Sequence, residues 1–224
     1  MGEAKNRGTA EQRREEARTR DLAALKRFLG SGNPAVESRI SAARKLFLDR
    51  MSPDEWAARR TAIVRTLREK TVIHRGAEPS IADAPVLRLQ DDEIAWYLYL
   101  CEQAVDAPMC LELAQSQRCV PFLACIGARA DLADHIPGFA RKIDEALSKY
   151  KANPDGVLFE MLVALAYAGK GWDVEFIEES GAGRTPDFRA RRGEREIYVE
   201  CKRHDRRTRY SEEERQAFLV MWEP

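Results

Sequence analysis

The sequence predicts an α+β protein, with helices over its first 150 residues and strands only afterwards. Three observations lead there. Capped amphipathic segments without alternation fill residues 31–150; an almost wholly apolar helical run follows at 157–169; and two short alternating runs flank Gly193-Glu194. Three regions result: a charged N-terminal segment (1–30), partly disordered or helical; an all-helical region (31–150); and an α/β core (151–224).

The elements follow in order. Residues 1–20 carry charges at helix-compatible spacing and little to bury before Leu22, as in a frayed or solvated helix. Asn33-Pro34 opens a helix with Val36, Ile40, Ala43 and Leu46 or Phe47 on one stripe. Ser52, Pro53 and Glu55 place a cap, a first-turn proline and a capping-box acid before a helix running to about residue 70. Gly76, Pro79 and Pro85 break the pattern over 71–88, a loop with room for a short strand. Asp91, Asp92 and Glu93 start another helix at its positive end, followed by the aromatic run Trp96–Leu100, a core segment or a partner surface. A further helical stretch at 111–136 is expected to break or restart at Pro121. After Pro137, the residues Phe139, Ile143, Leu147 and Tyr150 share one helical face. Residues 151–156 form a linker; beyond them Trp172, Val174 and Phe176 alternate with Asp173 and Glu175 as a half-buried strand.

Composition narrows the class. Of 224 residues 44% are apolar, enough for a core, and no run approaches the length of a membrane span. The charged N-terminus has no apolar stretch of the kind a secretory signal needs. The five cysteines (101, 110, 119, 125, 201) are odd in number and form no Cys-x-x-Cys pair, which reads as reduced thiols of a cytoplasmic protein. A zinc site from Cys119, Cys125 and a histidine matches no usual ligand spacing.

The chemistry concentrates in the last third. Side chains alternate faces along a strand, so Tyr198, Glu200 and Lys202 share one face while Ile197, Val199 and Cys201 take the other. A two-residue type II′ turn at Gly193-Glu194 makes paired positions sum to 387, with Phe188 opposite Val199, Ala190 opposite Ile197, and Asp187 opposite Glu200. Opposed Cβ atoms lie roughly 4.5–5.5 Å apart, so two carboxylates there call for a cation between them. Mg²⁺, or Mn²⁺ in its place, is the expected ion. Glu160 is the one charge in the apolar helix 157–169, and a buried carboxylate demands a partner. Cys201 falls on the core side with no histidine base in evidence, which argues for a packed thiol and against a nucleophile.

Pro186-Asp187, then Glu200-Cys201-Lys202, with Glu160 on an upstream helix, resembles the PD-(D/E)xK superfamily of restriction-endonuclease-like nucleases. The order of elements also resembles it: helix 158–168, strands 172–177, 186–191 and 196–202, and helix 211–222. The resemblance covers the C-terminal third and implies an α-β-β-β-α core. It further implies that Asp187 and Glu200 ligate the metal with the backbone carbonyl of Cys201. Lys202 would position the attacking water, and Glu160 would complete or orient the ion's shell. Where the family continues into at least one more strand, this sequence stops at Pro224. The expected core is therefore a truncated sheet or a fragment, completed by a second copy, a partner chain or the N-terminal region.

Charge distribution adds a partner. Between residues 183 and 210 ten basic side chains face five acidic ones, although the whole chain has zero net charge. Arg184, Arg189, Arg203 and Arg206 are the candidates for phosphate contacts, and DNA is expected in preference to RNA. The expected activity is metal-dependent hydrolysis of phosphodiester bonds. The alternatives are a nuclease-like module that binds nucleic acid without turnover, and an interaction protein acting through its helical half.

Overall fold

The computed structural model describes residues 33–73, 91–107, 113–178 and 185–202, together with positions 9, 11, 12, 15, 16, 19 and 20. Of the expected loop at 71–88, residues 71–73 instead continue a helix and 74–88 lie outside the described residues, as do the last helix at 211–222 and Arg184, Arg203 and Arg206. The described positions from 11 to 20 are helical and exposed. Thr9 and Gln12 exchange side chain-to-backbone hydrogen bonds of 2.8 and 3.1 Å, a reciprocal cap at that helix's start.

Six helices, one 3₁₀ turn and a three-stranded sheet follow: α1 Pro34–Leu48, α2 Pro53–Ile73, α3 Glu93–Asp106, α4 Leu113–Gly127, the 3₁₀ turn Ala130–His135, α5 Phe139–Leu147, α6 Asp155–Ala168, β1 Asp173–Phe176, β2 Phe188–Arg192 and β3 Arg195–Val199. The mixed helix-and-sheet class is as expected. Capping sets several boundaries. Asn33 accepts from the Ala35 N–H, Ser52 Oγ from the Glu55 N–H at 3.1 Å, and Asp92 from the Ala95 N–H, each satisfying an orphan donor of a first turn.

One element differs from expectation, and a second resolves between two readings. Helix α4 runs through Pro121 without breaking. Pro121 is exposed, and so is Gln117, whose carbonyl loses its helical donor; solvent can satisfy that carbonyl, while Leu123 and Ile126 hold the buried face. The aromatic run on α3 is core: Trp96, Tyr97, Leu98 and Leu100 are each 2% exposed or less. Trp96 Nε1 donates to Gln115 Oε1 at 2.9 Å, so its polar edge is satisfied inside the fold.

One apolar cluster extends from Ile40 on α1 to Ala190 on β2, across the linker read at 151–156. Helix α6 follows that segment and packs on α5, α4 and β1. Its N-terminus is tied to the helical half by a charged network. Arg118 lies 3.1 Å from both Glu93 Oε1 and Asp155 Oδ2, and its guanidinium lies over the Tyr97 ring. Tyr97 Oη stands 2.8 Å from Glu93 Oε1 and 3.0 Å from Asp155 Oδ1. Burial first, then Asp155 and Glu93, pushes the Tyr97 phenol up, so it stays protonated and donates.

The sheet is an antiparallel meander in the order β1-β2-β3. Its core face carries Val174, Phe176, Phe188 and Ala190. Phe139, Phe176, Phe188 and Tyr167 form a chain of ring contacts with centroids 5.7–6.1 Å apart, which fixes α5 and α6 against the strands. The β2–β3 register has Phe188 opposite Val199 and Ala190 opposite Ile197, as residue parity requires. Gly193 has φ +60° and no non-glycine described residue has positive φ, which fits type II′ with glycine first and excludes type I′. Among the described residues no helix is long and apolar enough to cross a membrane.

Helices α1 and α4 meet with almost no space between them at Gly127. A Cβ added there would sit 1.8 Å from the Arg39 carbonyl oxygen and 2.8 Å from the Ala43 nitrogen, both backbone atoms. Gly127→Ala is therefore expected to destabilise the protein by ~3 kcal/mol or more, read as a lowered urea midpoint. A midpoint unchanged from wild type would contradict this helix contact.

Candidate active site

Asp187 lies one residue before β2, yet its backbone is held on both sides. Its N–H donates to Val199 O at 2.9 Å, and its carbonyl accepts from Ile177 N–H at 3.0 Å. The ladder itself stops at the Phe188–Val199 pair, one step short of the expected Asp187–Glu200 opposition. Two bonds replace that pair. The Asp187 N–H takes the Val199 carbonyl, and the Asp187 carboxylate turns inward to accept the Cys201 N–H at 2.5 Å through Oδ2. A side-chain acceptor has thus taken the place of the next ladder bond.

This turn fixes Asp187 beside the end of β3. Its negative charge reaches both the Glu160 carboxyl and the Cys201 thiol. Glu160 sits mid-helix with its side chain 17% exposed, and Lys142 Nζ from α5 approaches Glu160 Oε2 to 2.8 Å. Burial is the largest influence and raises the Glu160 pKa; Lys142 opposes it, and Asp187 and Glu145 add to it. For Lys142 burial alone would lower the pKa, but Glu160 and Glu145 outweigh it and hold the ammonium protonated. Although Lys142 is close, Glu160 Oε2 has no well-directed hydrogen bond. The contact is an ion pair in which charge, more than direction, does the holding.

Parity on β3 is as expected. Tyr198 is exposed, Glu200 and Lys202 beyond the strand are exposed too, and Ile197, Val199 and Cys201 pack against the core. The structure therefore joins Asp187 to the backbone of Cys201 and leaves Glu160 within reach of its charge, while Glu200 and Lys202 stand on the solvent side, so the expected gathering of Asp187, Glu200 and Lys202 on one face is not what the described residues show. The group of Cys201 that meets Asp187 is its N–H. Arg189 is engaged by Glu175 across β1–β2, and Arg191 by Glu196 across the hairpin. Between the N-terminal end of α5 and this exposed face lies a groove of about 470 Å³, lined among others by Gly138, Arg141, Glu178, Arg189 and Tyr198.

Fit to a divalent ion can be judged from the donors. Carboxylates are hard groups, suited to Mg²⁺ or Mn²⁺ and unsuited to a soft ion, whereas the Cys201 N–H that meets Asp187 is a donor and ligates no cation, so the expected Cys201 carbonyl ligand is not what faces Asp187. Two acids in a half-buried seam, one with a pKa raised by burial and paired with Lys142 without a well-directed hydrogen bond, are a site where added positive charge would hold both ionised. Among the described residues, no three His, Cys, Asp or Glu side chains stand close enough to share an ion. A complete shell would need Glu200 to turn in from solvent.

Sequence reasoning did not single out Lys142 or Glu145. Their signal was present but unreadable alone. Lys142 borders the apolar stripe of α5, three residues after Phe139, and buries its stem while its amine seeks an acid on a different helix. Compared with protein-family models, curated proteins and solved structures, the chain matches none.

The thiols give a direct check on this arrangement. Burial first, then Asp187 and Glu160, pushes the Cys201 thiol up to about 12; burial does the same for Cys101 and raises Cys119 well above its ordinary value. Cys125 is exposed. With iodoacetamide at pH 8, peptide mass spectrometry is expected to find Cys125 alkylated early and Cys101, Cys119 and Cys201 only after unfolding. Rapid alkylation of Cys201 would contradict its position between Asp187 and the core.

Proposed function

We propose that the protein is a metal-dependent nuclease that hydrolyses phosphodiester bonds in nucleic acid, DNA in preference to RNA. The observation that carries the reading is the Asp187 carboxylate, fixed by the backbone of the Glu200-Cys201-Lys202 segment and near enough to the half-buried Glu160 for its charge to raise that carboxyl's pKa. On this reading residues 151–224 form a restriction-endonuclease-like core. Among the described residues β3 is an edge strand, which a second copy or a partner chain would pair with, and the protein would work in the cytoplasm.

Asp187 and Glu160 would hold a divalent ion from the protein side, with Glu200 joining from the solvent side and the backbone of Cys201 adjoining. Such an ion would polarise the scissile phosphate and lower the pKa of a bound water. Lys202, exposed two residues beyond Glu200, would orient the attacking water and offset charge on the phosphate oxygens. Arg189 would contact backbone phosphate after giving up Glu175, an exposed pair of small net strength. Arg184, Arg203 and Arg206 would extend that contact. One observation favours a second reading, a binding module without turnover: Lys142 already supplies Glu160 with a positive partner.

Cleavage of single- and double-stranded DNA and RNA, with Mg²⁺, Mn²⁺ or EDTA, separates the two readings. Product is expected with either ion and none with EDTA, and Lys202→Ala is expected to cut turnover by about 100-fold while leaving binding near wild type. Salt-sensitive binding without product supports the module, and cleavage that survives both EDTA and Lys202→Ala contradicts the proposed site.

A further inference from the structure

Lys142 reaches from α5 into the seam shared with α6 and the sheet, where 8% of its surface stays exposed. Its Nζ lies 2.8 Å from Glu160 Oε2, 3.3 Å from Glu145 Oε2, and 5.5 Å from the centroid of the Phe176 ring. Glu145 is anchored in turn: its Oε1 is 2.7 Å from Arg141 Nη1, and Arg141 donates to the Ile177 carbonyl at the end of β1. One ammonium therefore stands between two carboxylates. One of these, Glu160, is the acid that feels the charge of Asp187, and the other, Glu145, is fixed to α5 and the sheet.

From this geometry we infer that Lys142 is a resident counter-cation that competes with a divalent ion for Glu160, and that Glu145 is the berth to which its amine withdraws when the ion binds. The inference rests on the metal-binding reading above and adds to it two residues that set ion affinity without ligating. Three features carry it. The ammonium holds Glu160 Oε2 without a well-directed hydrogen bond, so the oxygen can be exchanged. A second acceptor already stands within 3.3 Å, so withdrawal needs rotation of a flexible stem and no backbone movement. An ammonium and a dication sharing one carboxylate would repel each other across a few ångströms of half-buried space, which drives the amine to Glu145.

Mn²⁺ titrated calorimetrically into the full chain, without nucleic acid, tests this directly. Lys142→Met is expected to bind Mn²⁺ about tenfold tighter than wild type, and Glu145→Gln about tenfold weaker. Added to Lys142→Met, Glu145→Gln is expected to have little further effect, because the berth serves only the amine. A folded Lys142→Met that binds no tighter overturns the inference. So does a Glu145→Gln effect that persists undiminished in the Lys142→Met background, which would show a plain field effect. Should Lys142→Met fail to fold, the wild-type Lys142 side-chain NMR signal decides, once assigned by its absence from Lys142→Arg. That signal is expected to shift as Mg²⁺ saturates the site; saturation with the signal unmoved overturns the inference. If neither wild type nor variant binds ion at all, the metal-binding reading falls too, an outcome distinct from wild-type binding that Lys142 does not influence.

Discussion

A carboxylate set in the middle of an apolar helix must find positive charge or lose its own, and at Glu160 that demand organises the sheet end of the molecule. Helix α6 is apolar on nearly every other side, so it seats against α5, α4 and β1 and carries Glu160 into the seam with it. Lys142 answers from α5, and Glu145 keeps Lys142 in place. The seating is set from both ends of the helix. Asp155 at its start is gripped by Arg118 and Tyr97 from the helical half, and Tyr167 near its end packs edge-on against Phe188. The helical half therefore bears on the candidate site mechanically, through the placement of α6.

Asp187 shows how a residue outside regular structure can be better positioned than one inside it. Its N–H, carbonyl and carboxylate are each engaged, by β3, by β1 and by the Cys201 amide in turn. Glu200 and Lys202 are exposed, where side chains change rotamer readily. A fixed acid beside adjustable partners suits a site that assembles fully only around its ligand, since acids arranged rigidly with no ion present would repel one another.

Much of the sheet was legible in the sequence because strand parity is a rigid rule. Once Gly193 is placed first in a two-residue turn, the pairings of Phe188 with Val199 and Ala190 with Ile197 follow by counting. The alternation of β1 and the cap at Ser52 were readable for the same reason, as each depends on neighbours in the chain. The Asp187–Glu200 opposition came from the same counting, but it ignored that an aspartate can satisfy a backbone amide itself and end the ladder early. Pro121 misled because its penalty depends on which face it occupies, which only the packing of α4 decides. Lys142 and Glu145 were out of reach, because their meaning depends on α5 lying against α6, a contact no local pattern encodes.

The most direct measurement is anomalous diffraction from crystals of the protein soaked in Mn²⁺. A manganese peak bound by the Asp187 carboxylate together with Glu160 or Glu200 is the expected result. An ion bound elsewhere, or Asp187 still holding the Cys201 amide with no ion beside it at saturating Mn²⁺, would contradict the proposed centre.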